Sequence, residues 1–117
     1  MTREETIKML AILKAAYPSS YKGMTKEEAN GTIAIWTMQF ADMPADIVLM
    51  ALNKAISTSQ FPPAISEVKK KISHLHWEAY EMISTAKGKL PKEEIAKYQR
   101  IYELTNRMRI STDLEPK

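Results

Sequence analysis

Apolar residues return every three or four positions through nearly the whole chain, and no stretch alternates apolar and polar long enough to make a strand. The pattern predicts an all-α protein, a small bundle of four to five helices with the last one loosely attached. It is clearest over residues 33–67. Trp36 and Phe40, four apart, share one helix face. Pro44 stands where the next helix begins, a place where its missing N–H costs nothing. Ile47, Ala51 and Ala55 follow at intervals of four, with Val48 and Leu52 beside them, a broad apolar stripe. Phe61-Pro62-Pro63 then breaks the helix and turns the chain into Ile65, Val68 and Ile72. The expected structural core is therefore Trp36, Phe40, Ile47, Leu52, Phe61, Pro62, Pro63 and Ile65.

Local signals place the helix ends. Thr2 with Glu5, and Thr25 with Glu28, have the spacing of capping boxes, so helices are expected over about 3–16 and 26–40. The first has Ile7, Leu10 or Ala11, and Lys14 on one side, with Met9, Ile12, Leu13 and Ala16 widening its apolar face. Tyr17-Pro18 ends it. The second should bury Ala29, Ile33, Trp36 and Phe40; Gly31 inside it either admits a neighbouring helix or is merely tolerated. A third helix spans about 44–57. A fourth runs from Pro63 or Ala64 to about Ala86, with Gly88 as its stop. Pro91 opens a fifth, whose apolar positions are Ile95, Tyr98, Ile101 or Tyr102, Leu104 and Met108. Residues 111–117 have no pattern and should fray. The organisation expected is a compact domain over 1–86, then a helix and tail over 87–117.

Composition narrows the class. With 117 residues, 44% hydrophobic and 26% charged, the chain suits one ordinary globular domain. It has no cysteine, which excludes disulfides and thiolate metal sites. Its longest uncharged run, 29–41, is too short to span a bilayer, and no apolar signal core follows Met-Thr-Arg-Glu-Glu, so an intracellular protein without membrane contact is expected. The net charge of +3 is uneven: residues 1–66 carry six basic and six acidic side chains, residues 67–109 ten and six. An excess of this size is a solvated helix face, or supports weak nonspecific nucleic-acid contact.

Catalytic chemistry finds little to work with. There is no phosphate-binding G-x-x-x-x-G-K-[ST] loop. His74 and His76, two apart on a helix, point to different faces and read as surface or half-buried residues. The Glu4-Glu5, Glu27-Glu28 and Glu93-Glu94 pairs sit in first turns, where capping and the helix dipole explain them. No enzyme activity and no cofactor is expected. Two surfaces stay open to partners: Trp36 with Phe40 reads as core or as an aromatic recognition site, and Tyr98, Ile101, Tyr102, Leu104 and Met108 dock on their own bundle or in a partner's groove.

The residues carry a resemblance. A Glu5-x-x-x-x-Leu10 helix ends at Tyr17-Pro18, a Trp36 helix follows, then Ala51-Leu52-x-x-x-Ile56-x-Thr58-x-x-Phe61-Pro62-Pro63-x-Ile65-x-Glu67. Over about 4–72 this resembles the replicative-helicase loader/inhibitor proteins of phages infecting Gram-positive bacteria. The resemblance implies a non-enzymatic replication protein, cytoplasmic in the bacterial host and monomeric when free. It implies that the protein binds a hexameric DnaB-type helicase, inhibits it, and delivers it to the origin through a phage initiator protein. It also implies that a C-terminal segment, here about 95–114, engages the helicase, making Tyr98, Ile101, Tyr102, Leu104 and Met108 the candidate anchors. The alternative is a small helix-turn-helix-like regulator built on the second and third helices, although the third carries only Lys54 as a basic residue.

Overall fold

The computed structural model describes residues 1–85 and 88–112, with side-chain surroundings through residue 107. The expectations for Ala86, for Met108 and for the tail beyond 112 lie outside those limits. Five α-helices follow in order: α1 Arg3–Ala16, α2 Lys26–Gln39, α3 Ala45–Thr58, α4 Ile65–Thr85 and α5 Lys92–Thr112, with a 3-10 turn at Pro18–Tyr21. Among the described residues there is no strand.

Both capping boxes form. The Glu5 amide donates to Thr2 Oγ at 3.1 Å and the Thr2 amide to Glu5 Oε1 at 2.8 Å. Glu28 and Thr25 repeat this at 3.1 and 3.2 Å. The Ala64 amide donates to Glu67 at 3.2 Å, so a carboxylate serves the start of α4 as well. Pro44 is the residue before α3, not its first.

The bundle is built around α3, which buries Ile47, Val48, Ala51, Leu52 and Ala55. Met9 and Leu13 of α1, Trp36 and Phe40, and Val68 and Ile72 of α4 complete the same cluster. On α4, His76 meets Thr105 and Tyr102, and Tyr80 meets Tyr102. Numbers that fall along one helix as they rise along the other make α4 and α5 an antiparallel hairpin. The hairpin lengthens the molecule to 52 × 27 × 25 Å.

Several expectations need correcting. Trp36, Phe40, Ile47 and Leu52 are buried, but Phe61 is 72% exposed. The two prolines fix the corner without its ring: Pro63 is buried, while Pro62 and Ile65 are half-buried. The corner is tied instead by Tyr17, whose hydroxyl donates to the Ser59 carbonyl at 2.9 Å. Met43, placed in a connector, is buried; the Met1 ammonium donates to its carbonyl at 2.8 Å. On α1 the inward face is Thr6, Met9 and Leu13, and Ile7 and Ile12 are exposed. Ala29 and Ile33 are half-buried. A Cβ on Gly31 would meet nothing within 4 Å, so no helix closes on it. His76 is fully buried rather than at the surface, because Thr105 supplies a polar partner inside the seam.

Candidate partner-binding surface

The candidate anchors lie on α5, which opens after Pro91 with Glu93 and Glu94 in its first turn. Its amphipathic stripe lies along α4. Ile101 is only 3% exposed and belongs to the core, so in this arrangement it offers nothing to a partner. Tyr98, Tyr102 and Leu104 pack against the same core and stay half-buried.

An aromatic layer fills the seam. The Tyr102 ring stacks on His76 with centroids 4.9 Å apart. Trp77 stands edge-on to His76 at 4.7 Å and to Tyr80 at 5.8 Å. Tyr80 is exposed and leans towards Tyr102 at 5.9 Å, carrying the layer to the surface. Aromatic pairs of this kind add about 0.5–1.5 kcal/mol beyond area burial. Sequence reasoning passed over His76, Trp77 and Tyr80 as partners of Tyr102. Their spacing on one helix, 76 to 80, was the available signal.

Charged groups at the rim hold α5 lightly. Arg100 pairs with Asp46 of α3 at 2.6 Å, with both side chains about half exposed. An exposed pair contributes about 0–1 kcal/mol. The Lys97 ammonium lies 5.8 Å from the Tyr98 ring centroid. Part of the basic excess is engaged inside the fold, for Lys69 donates to Gln39 at 2.8 Å and sits over Phe40. Among the described residues no helix is long and apolar enough to cross a membrane. His74 is exposed and His76 buried, so the two face different ways. The buried α3 is the bundle's central helix and presents no basic reading face to DNA.

Comparison with curated proteins and with solved structures found no match. A family model for the N-terminal domain of gene 39 protein, a phage helicase loader and inhibitor, matches residues 1–69. That stretch holds α1, α2, α3 and the first turn of α4, together with both capping boxes and the Phe61-Pro62-Pro63 corner. It stops short of every candidate anchor on α5. The match covers more than half of the chain, and the all-helical fold agrees with it: the chain belongs to this N-terminal domain family of phage helicase loaders and inhibitors.

Proposed function

We propose that this protein binds a hexameric DnaB-type replicative helicase, holds it inactive, and delivers it to a replication origin through an initiator protein. The observation that carries the reading is the family match over residues 1–69. The mechanism needs no catalysis. A loader that binds one helicase state better than another holds the hexamer in that state. The initiator or DNA then releases it, because coupling between two sites is reciprocal.

The helicase contact is assigned to residues 87–117, with Tyr98, Tyr102, Leu104 and Met108 as anchors and residues 1–86 as their carrier. Ile101 joins them only if α5 lifts from α4. Lifting would uncover the aromatic seam, and a helicase groove that covers Tyr102 and Ile101 again would compensate for the loss.

The test is size-exclusion chromatography of the protein with and without a purified DnaB-type helicase, followed by the helicase's ATPase rate. Co-elution with the hexamer and a lowered rate support the reading. A free protein that runs as a monomer beside an unaffected helicase overturns it.

A further inference from the structure

A groove of about 510 Å³ opens between α1 and α2. Ile7 and Leu10 stand on one wall and Ile33 on the other, while Tyr21 and Met24 come from the connector. Ala11 and Ala29 add only methyl groups to the walls, which is why the space is not filled from within. The connector turns sharply at Gly23, whose φ of 80° suits glycine. Its volume falls in the range of formed binding pockets, about 300–1,000 Å³.

Two observations mark the groove as a contact surface and say what fits it. Its apolar lining is left in water, with Ile7 44% and Met24 38% exposed. The charged side chains in the lining are Lys14 and Lys22, and no carboxylate lines the groove. Burial, with Tyr17 nearby, pushes the Tyr21 phenol above its usual range, so its hydroxyl stays protonated and can donate.

We propose that this groove docks an amphipathic segment of a partner protein, with aliphatic or aromatic side chains inserted between α1 and α2 and carboxylates flanking them on Lys14 and Lys22. A neutral or basic segment would leave two lysines facing apolar or like-charged groups. The lining comes wholly from residues 7–33, inside the family-matched stretch, and includes nothing from α5. The inference goes beyond the helicase reading and rests on the groove alone.

The experiment selects a phage-displayed random-peptide library on the full-length protein. Enriched peptides are then synthesised and titrated by fluorescence anisotropy. Enrichment of apolar anchors flanked by Asp or Glu is expected. The double variant Lys14→Glu/Lys22→Glu, whose changes are both at exposed positions, should weaken binding by at least about tenfold. Ala11→Leu, which fills the groove, should do the same, and Tyr98→Ala should leave binding unchanged. Circular dichroism confirms that each variant folds. Failure to enrich any peptide overturns the proposal, and so does binding indifferent to the lysine reversal. Sedimentation of the protein alone gives a further outcome: a dimer made monomeric by Ile7→Glu would put a second copy in the groove and overturn the partner assignment. Inhibition of the helicase ATPase, measured on the same variants, reports separately on the helicase reading.

Discussion

His76 of α4 and Thr105 of α5 meet at 2.8 Å, Nδ1 to Oγ, with both side chains fully buried. The Thr105 hydroxyl gives its one proton to the Ile101 carbonyl at 2.6 Å. Its oxygen therefore accepts from Nδ1–H, which sets the imidazole tautomer and aligns the ring with Tyr102. Thr105→Val keeps the shape of the side chain and removes this acceptor. The expected loss is about 1–3 kcal/mol of stability, the cost of leaving a buried donor without the partner it had. Urea unfolding measures it, and Thr105→Ser should recover most of it. A Val variant as stable as the parent would show that the hydrogen bond does not hold the seam.

Trp36 lies 5.7 Å from Phe40 in a tilted arrangement, at the junction of α2 with the rest of the core. Trp36→Ala should cost about 3–5 kcal/mol, a large share of the roughly 5–15 kcal/mol that holds a domain folded. Thermal unfolding should show a drop of many degrees.

Phe61 sits in the stretch most specific to the family, yet its ring is in solvent. Phe61→Ser should therefore change stability by no more than about 0.5 kcal/mol. Pro63, buried two residues on, should be the sensitive position of that corner. A large loss on Phe61→Ser would return the ring to the core.

What the chain reveals by itself divides along the range of the interactions. The capping boxes, the proline corner and the α3 stripe are written in neighbours three or four apart, so they were legible. The inward side of α1 was not. Apolar residues lie nearly all round that helix, and periodicity cannot choose between Ile7 and Met9. The choice falls on the side of Thr6, whose hydroxyl donates to the Thr2 carbonyl at 2.9 Å and lies 2.8 Å from that of Thr37 on α2. Met43 and His76 are buried by groups far along the chain, Met1 for one and Thr105 for the other. The α5 stripe was visible as an apolar face; only packing could show that Ile101 already has a home on α4. The groove was hidden for the same reason as the α1 face that lines it.

The Glu5 carboxyl is held below the ordinary glutamate range, chiefly by the Thr2 amide that donates to it, with the Thr2 hydroxyl, the N-terminal ammonium and Lys8 adding to the effect against a small opposing desolvation. A carboxyl whose folded value is depressed contributes stability that is present above its unfolded value, near about 4.3, and is lost as pH falls through the folded value. Glu5→Gln keeps a group able to accept from the Thr2 amide but does not titrate. Below the ordinary glutamate range the parent should therefore lose stability more steeply than the variant, with little difference between them at neutral pH. Thermal unfolding across an acid pH series makes the comparison; parallel curves would remove Glu5 from the acid response.

The last prediction separates the two jobs assigned to α5. A chain ending at residue 87 keeps α1 to α3 and all of α4, so the core around α3 survives. It loses Ile101 and Thr105, which are buried against α4, and it bares the aromatic seam. It should fold with reduced stability, by at least the about 2–5 kcal/mol expected for Ile101→Ala alone. It should also lose most of its inhibition of a DnaB-type helicase, because anchors that fill partner pockets each carry about 2 kcal/mol or more. Circular dichroism and the helicase ATPase rate read the two effects independently. Full inhibition by the folded truncation would move the helicase surface onto α1 to α4. An unfolded truncation would mean that α5 is part of the minimal fold, and the question then passes to Tyr98→Ala and Leu104→Ala in the full chain. Both side chains are half-buried, so their removal should weaken inhibition more than it weakens the fold. Stability loss with unchanged inhibition in those two variants would leave α5 a structural helix and nothing more.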